Sequence, residues 1–184
     1  MKGATSELLN NLRKDIEEDI RFVQALYDKP LEQLNYKEDD STWSILENIE
    51  HLNLYGNFYI PELKNGIERA NGTTPKSEFK SSWLGEYFAN AMLPQANGKI
   101  KKMKTFKNKD PKNSNLQKDK IDHFLNQQKA LLTILDDATK VDIRKAKSGT
   151  TIATWLTVNA GDILRVVIYH NRRHMNQIRG IKIT

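Results

Sequence analysis

Residues 43–52 read Trp-Ser-Ile-Leu-Glu-Asn-Ile-Glu-His-Leu, and they predict where a long helix begins. Ser44 and Glu47 have the spacing of a capping box, in which the hydroxyl and the carboxylate each satisfy a free amide at the helix start. Beyond this start, apolar side chains recur every three or four residues, as on the buried stripe of a helix (Ile45, Ile49, Leu52, Tyr59 and Leu63). Pro61 lies within the stripe and predicts either a kink near residues 57–61 or a break there.

The same periodicity predicts three more long helices. One covers about residues 5–27 and another about residues 116–138. The last helical region begins near Thr150 or Thr151 and ends at Gly180, and its stripe runs through two histidines (Ile152, Trp155, Leu156, Ile163, Val167, His170, His174 and Ile178). Gly161 weakens its middle and Asp162 offers a second cap, so the sequence is compatible with one helix or with two.

Loop-forming residues separate these helices. A shorter helix is predicted at about residues 82–92, whereas residues 94–115 are expected to be mostly irregular and residues 145–149 to form another loop. No segment combines the two-residue alternation of a strand with turn signals on both sides. The sequence therefore predicts one all-α domain over residues 1–184. It is a four-helix bundle, with a short extra helix and a lysine-rich loop inserted between the second and third long helices.

The composition excludes several classes of protein. The 184 residues suit one domain with a single core, and no run of about 18 apolar residues indicates a membrane span. The first residues turn polar at once, without the apolar stretch of a signal peptide, so a cytoplasmic location is expected. The absence of cysteine excludes a thiolate nucleophile and leaves His, Asp and Glu as metal ligands.

The net charge of +6 comes from one segment rather than from a basic surface. Between residues 98 and 112 a single acid, Asp110, stands against seven lysines (Lys99, Lys101, Lys102, Lys104, Lys107, Lys109 and Lys112). The rest of the chain is balanced, and the segment has one aromatic residue, Phe106, which is too few for stacking bases. A solvated connecting loop is therefore favoured over a phosphate-binding patch, and nucleic acid is not the expected partner.

His170 and His174 form the most informative pair of residues. Their four-residue spacing places both imidazoles on one helical face, within reach of one ion. Their polar neighbours are expected to lie off that face, with the two arginines at solvent or at a partner subunit (Asn171, Arg172, Arg173 and Asn176). A metal would satisfy one nitrogen of each buried ring, but a lone inward histidine is more often a hydrogen-bonded core residue. On spacing alone the two interpretations are about even.

His51 is the third histidine of interest. It follows the capping box by about two turns and lies beside the apolar stripe of its helix. If the second and fourth long helices are antiparallel neighbours, His51 approaches the other two histidines. His123 matches no ligand spacing and is expected at the surface or behind the ligands.

Two segments resemble the signatures of one known family. Residues 43–52 are similar to the first signature of the DinB/YfiT-like superfamily, and residues 170–178, His-Asn-Arg-Arg-His-Met-Asn-Gln-Ile, resemble the second. The resemblance implies a four-helix bundle with up-down-down-up connectivity, and a zinc or nickel ion held by His51, His170 and His174. Many members are dimers, so a homodimer is also implied. The lysine-rich insertion and Pro61 depart from the simplest family pattern and are expected at the pocket entrance.

The resemblance leads to two hypotheses of function. Characterised members act on low-molecular-weight thiols or carry out metal-dependent hydrolysis, and three neutral imidazoles leave coordination positions open. A metal-dependent thiol S-transferase or hydrolase with a small-molecule substrate is therefore favoured over a non-catalytic bundle that binds a metal or small ligand. Glu47 and Tyr55, one turn on either side of His51, are the candidate catalytic residues, although the capping box alone explains Glu47. Gln177 is expected behind the ligands.

Overall fold

The computed structural model describes residues 1–94, 103–153 and 155–182. Within these residues the chain forms six α-helices: α1 (Thr5–Gln24), α2 (Leu31–Asn35), α3 (Ile45–Arg69), α4 (Trp83–Met92), α5 (Asp119–Ala138) and α6 (Ala160–Arg179). Single 3-10 turns lie at Ala25–Asp28 and Lys107–Lys109. The chain is therefore mostly helical, as predicted. No described helix combines the length and the apolar character that crossing a membrane requires.

Two antiparallel pairs of very short strands join the helices. β1 (Lys2–Ala4) pairs with β2 (Glu78–Lys80), and β3 (Lys147–Gly149) pairs with β4 (Thr157–Asn159). Neither pair is predicted from the sequence, because three residues are too few to reveal a two-residue alternation. The first pair ties the start of α1 to the segment before α4, and the second replaces part of the loop expected at residues 145–149.

Helix α3 begins where the capping box predicts. The Ser44 hydroxyl accepts a hydrogen bond from the Glu47 amide at 3.1 Å, and the Glu47 carboxylate accepts one from the Ser44 amide at 3.0 Å. Pro61 lies inside this helix without ending it, so the expectation of a break is wrong. Contacts with α5, α6 and β3 hold α3 along its length and offset the missing amide donor of Pro61.

Helix α6 begins later than the sequence predicts. It starts at Ala160, where the Asn159 side chain accepts a hydrogen bond from the Asp162 amide at 2.9 Å, so Asp162 lies in the first turn and not at a cap. The expected start at Thr150 or Thr151 is wrong because the β3–β4 pair occupies the flanking residues. The connection between the strands leaves Trp155 82% exposed. From Ala160 to Arg179 the helix is continuous.

The long helices enclose two apolar clusters. Both α1 and α3 contact α5 and α6, and the residues buried between them form one cluster at each end of the helices. Polar side chains bond to each other inside the protein: Asn171 donates to Gln128 at 3.0 Å, and Gln127 donates to the Asn53 carbonyl at 3.1 Å. Three of these side chains line one small cavity together with His170 (Gln127, Gln128 and Asn171).

Candidate metal centre

Three histidine side chains meet where α3 and α6 pack together. The Nε2 atom of His170 lies 3.2 Å from that of His51 and 3.1 Å from that of His174. His51 and His174 are buried and His170 is partly buried. The structure thus brings together the three residues that the sequence and the family resemblance single out, and each offers one nitrogen to a common point.

The hydrogen bonds of His51 and His174 identify which ring nitrogens carry protons. The Nδ1 of His51 lies 2.7 Å from the carbonyl oxygen of Lys109, which can only accept, so this Nδ1 is the donor. The side-chain amide nitrogen of Asn48 donates to the Ser44 carbonyl at 2.9 Å, which turns its oxygen toward the Nδ1 of His174 at 2.8 Å. Both rings therefore donate from Nδ1 and present an unprotonated Nε2 to the cluster.

Such an arrangement fits a divalent cation. Two bare Nε2 atoms point at a third Nε2, and one proton on His170 could satisfy only one of them. Nitrogens bound tetrahedrally to zinc at about 2.05 Å are roughly 3.3 Å apart, close to the two distances that join the His170 Nε2 to those of His51 and His174. Carbonyl and amide oxygens behind the rings are the usual partners of metal-binding histidines. His51, His170 and His174 are thus suited to hold one ion and leave a side of it open.

The electrostatic environment keeps the three rings neutral. Burial lowers the pKa of His51 to about 4, and it lowers the pKa values of His170 and His174 well below the usual range. The positive charge of Arg173 disfavours protonation of all three rings as well. Because the neutral imidazole is the metal-binding form, the cluster is ready to bind a cation at physiological pH without releasing ring protons.

A cavity of about 790 Å³ opens over the histidines. The Trp43 ring also lines the cavity and packs against two of the histidines. Its centroid lies 4.6 Å from that of His51 and 5.8 Å from that of His174. The expected entrance is partly observed, since residues 103–106 of the lysine-rich insertion line the cavity whereas Pro61 does not. All three histidines belong to the lining of this cavity.

The two candidate catalytic residues occupy different places. Glu47 is buried in the capping box. Besides the Ser44 amide, its carboxylate accepts hydrogen bonds from the Asn113 amide at 2.6 Å and the Lys37 ammonium at 3.2 Å. The predicted cap role of Glu47 is confirmed, and its side chain is not part of the cavity lining. Tyr55 does line the cavity, with its ring centroid 4.9 Å from that of His170 and 5.0 Å from that of His51.

The remaining polar neighbours are arranged partly as expected. Gln177 lies at the cavity, and His123 lies outside the cluster, with its Nε2 3.1 Å from the Gln127 amide nitrogen. Arg172 is half exposed and pairs with Asp15 at 3.0 Å.

Two residues correct the prediction that the polar neighbours of the histidines lie off the inward face. Asn171 and Arg173 are both buried, and Arg173 lines the cavity. The spacing already carried this signal, because Arg173 is three residues after His170 and side chains three apart share a helical face.

The lysine-rich segment is less uniform than a solvated loop. Of its described lysines, Lys104, Lys107 and Lys112 are exposed, whereas Lys109 is partly buried and its ammonium donates to the Leu54 carbonyl at 2.5 Å. Lys99, Lys101 and Lys102 lie outside the described residues. The sequence could not identify Lys109 as a partner of His51, because the contact uses a backbone carbonyl. Asn48 was detectable, since it precedes His51 by three residues on the same helix.

Comparison with known proteins agrees with this geometry. The family model described as the DinB superfamily matches residues 16–178, which include all three clustered histidines. No curated protein and no solved structure matches the chain. The family match and the three-histidine cluster are compatible with a metal-binding protein. The match covers most of the chain, and the chain therefore belongs to the DinB superfamily.

Proposed function

We propose that this chain is a divalent-metal-dependent enzyme of the thiol S-transferase or hydrolase type, acting on a small molecule. One observation carries the proposal: three histidine Nε2 atoms converge at the floor of a large open cavity. Closed sites with four protein ligands are usually structural, whereas three-ligand sites with an open side are usually catalytic. Among the described residues no fourth His, Cys, Asp or Glu joins the cluster, which supports the catalytic alternative.

The ion would be zinc or nickel, because imidazole suits both and no sulfur ligand biases the choice. When bound, it would act as a Lewis acid that favours the deprotonated form of a water or a thiol. The residues of the chain prepare the site for this. The Lys109 carbonyl and the Asn48 oxygen fix the orientation of two rings, and Trp43 shields them from solvent. Tyr55 lines the cavity with its ring beside those of His51 and His170, and we propose that its hydroxyl donates to a bound substrate.

A second function is a non-catalytic site in which the ion holds the helices together. It is favoured by the anchoring of the rings, since His51 of α3 lies against His170 of α6 and donates a hydrogen bond to the carbonyl of Lys109 in the turn at Lys107–Lys109. An ion bound there would stabilise the folded state by mass action.

We also infer that the four long helices run up-down-down-up. Residue numbers rise together in the contacts between α3 and α5, as expected for parallel helices: Asn53 bonds to the Lys120 carbonyl and Asn57 to Gln127. Contacts between α3 and α6 run in opposite directions, as in the pairs His51–His170 and Asn48–His174.

Contacts of the first helical segment support the same connectivity. Its contacts with α5 are those of antiparallel helices (Arg13–Asp136 and Tyr27–Asp122). Its contacts with α6 are those of parallel helices (Asp15–Arg172 and Glu18–Arg179). A homodimer stays a prediction from the family resemblance.

The deciding experiment is metal analysis of protein purified without a His tag. We expect about one zinc or nickel ion per chain and a rise in Tm when either metal is added to chelated protein. Absence of both results would overturn the proposal. His170→Ala, with His123→Ala as the matched control, separates the two functions. A catalytic site predicts loss of turnover with the fold largely kept, whereas a structural site predicts a large fall in Tm.

A further inference from the structure

The three clustered imidazoles differ in what holds their second ring nitrogen. In His51 and His174 the Nδ1 atom has a protein oxygen as its partner. No described residue bonds to the Nδ1 of His170, whose Nε2 faces the other two rings. A histidine that binds a metal through Nε2 almost always donates from Nδ1 to a carboxylate, a carbonyl or a water. His170 therefore needs a partner that the described part of the chain does not supply directly.

The small cavity inside the bundle lies beside this ring. His170 lines both the small and the large cavity, as do Tyr55, Tyr59, Met92 and Val166, so these side chains separate the two spaces. The small cavity has a volume of about 30 Å³, and roughly 10–15 Å³ is enough for one water molecule. Its size therefore suits water and excludes a larger ligand.

Two buried amide side chains in the wall of the small cavity have spare hydrogen-bonding capacity. Gln128 is 2% exposed and Asn171 is 4% exposed. Asn171 donates to the Gln128 oxygen at 3.0 Å, and among the described residues this is the only hydrogen bond of either side chain. The Gln128 nitrogen can still donate and the Asn171 oxygen can still accept. Because buried polar groups are nearly always hydrogen-bonded, these atoms point to a polar occupant.

Water matches this combination of donor and acceptor. A buried water usually makes about three hydrogen bonds to groups that the protein leaves unsatisfied. It can bond to the Nδ1 of His170 whether or not that nitrogen carries a proton, whereas a carbonyl oxygen can only accept. No acidic side chain is among the described residues that line the small cavity, so a second cation would have no charged ligand there.

We propose that the small cavity binds a structural water that positions His170. The water accepts from the Gln128 amide nitrogen, donates to the Asn171 oxygen and bonds to the Nδ1 of His170. Gln128 of α5 is then a positioning residue for a histidine of α6. That this histidine binds an ion rests on the proposed function. The water itself uses only residues of the chain and is bound without metal as well.

Crystal structures of the full-length protein, with zinc and after treatment with a chelator, test the water directly. We expect one ordered water in the small cavity of both, within hydrogen-bonding distance of Gln128, Asn171 and the Nδ1 of His170. A dry cavity, or an Nδ1 that bonds only to solvent in the large cavity, would overturn the proposal. A water in protein that binds no zinc would support the water site and contradict the proposed function. A dry cavity beside a bound ion would do the reverse.

Val167→Ile tests the positioning role, because it adds one carbon to the wall of the small cavity and removes no polar group. Displacing the water should weaken zinc binding about tenfold in competition with a chromophoric chelator. Val158→Ile is the matched control, a buried valine that lines neither cavity, and its affinity should equal that of the wild type. Adding Leu131→Val, which takes one carbon from the same cavity wall, should restore the affinity of Val167→Ile.

Equal zinc affinities of Val167→Ile and Val158→Ile would contradict the positioning role. So would a double variant that binds zinc no better than Val167→Ile, because a general packing defect grows when a second core residue is changed. If Val167→Ile fails to fold, Gln128→Met decides, since methionine keeps the approximate shape of glutamine without its amide. Zinc affinity about tenfold below that of the wild type supports the role, and unchanged affinity contradicts it.

Discussion

The Nδ1 atom of His51 donates to the backbone carbonyl of Lys109 at 2.7 Å, so a segment 58 residues later in the chain orients this ring. The same segment is held by Glu47, which accepts from the Asn113 amide, and by the Lys109 ammonium on the Leu54 carbonyl. The start of α3 and the lysine-rich insertion therefore form one structural unit behind the histidine cluster. Its members can be perturbed one at a time.

Replacing Glu47 should weaken both the helix start and metal binding. Glu47→Ala removes half of the capping box and the contact that holds Asn113. We expect a loss of about 1 kcal/mol of stability and a roughly tenfold lower metal affinity. Glu47→Gln should lose less, because glutamine also completes a capping box. Chemical denaturation measures the stability and zinc titration measures the metal affinity. An unchanged metal affinity in Glu47→Ala would mean that the contact between Glu47 and the insertion does not support metal binding.

Asn48 should affect metal binding more than stability. Its side-chain oxygen is the partner of the His174 Nδ1 at 2.8 Å. Asn48→Leu removes that partner and frees the ring to change tautomer, so we expect roughly 10- to 100-fold weaker metal binding. Competition with a chromophoric chelator measures the affinity, with Asn176→Leu, an exposed residue of α6, as the control. Equal affinities in the two variants would contradict the hydrogen-bond role.

Acid should destabilise the metal-free protein through the histidine cluster. Burial lowers the pKa of His51 to about 4, against about 6.5 in the unfolded chain. Between these values the unfolded chain binds the proton and the folded protein does not. The contribution of this ring to the free energy of unfolding is therefore fully present above about pH 6.5. It is lost as the pH falls toward 4, at up to about 1.4 kcal/mol per pH unit. Urea titrations across this range measure the slope, and His51→Gln should reduce it.

Asp19 should have the opposite pH dependence. Its side chain is 2% exposed, one carboxylate oxygen has no hydrogen-bond partner, and burial raises the pKa to about 7. Since the folded pKa lies above the unfolded value of about 3.8, this carboxyl favours the fold at low pH. That contribution is lost as pH rises through about 7.

Asp19→Asn should therefore raise Tm relative to the wild type by a few degrees at pH 8 and by much less at pH 5. Differential scanning calorimetry at the two pH values checks this. A constant difference would mean that Asp19 is not protonated on folding.

Gly66 marks a close approach between α3 and strand β3. A Cβ built there would lie 2.3 Å from the backbone oxygen of Lys147. Because a backbone carbonyl cannot rotate away, Gly66→Ala should destabilise the protein by about 1–3 kcal/mol, despite alanine's better helix propensity. Gly3→Ala is the matched control, since nothing lies within 4 Å of its Cβ position. Equal denaturation midpoints of the two variants would disprove the close contact.

Local signals in the sequence predicted the helices well where caps and apolar stripes coincide. The start of α3 at Ser44 and of α4 at Ser82 are examples. The apolar pattern of residues 150–156 predicts too early a start for α6, because the pairing of β3 with β4 occupies the segments on either side. Strands of three residues are too short to leave a periodic signal in the sequence.

The candidate site was predictable to a similar degree. Helical spacing placed His170 and His174 on one face, whereas His51 was joined to them by the family resemblance. Arg173 is expected at solvent or at a partner subunit, whereas its three-residue spacing from His170 indicates the inward face that the structure shows. The Lys109 carbonyl could not be predicted, since any residue at that position supplies the same group.

The bond between His51 and the Lys109 carbonyl has a thermodynamic consequence. If docking of the insertion tightens the grip on an ion, the ion must tighten docking by the same factor, because coupling free energies are reciprocal. A change that weakens docking of the insertion would then weaken ion binding, and loss of the ion would weaken docking to the same extent. The docking equilibrium of the insertion and the binding of an ion would thus be coupled through a single hydrogen bond, the one between His51 and the Lys109 carbonyl.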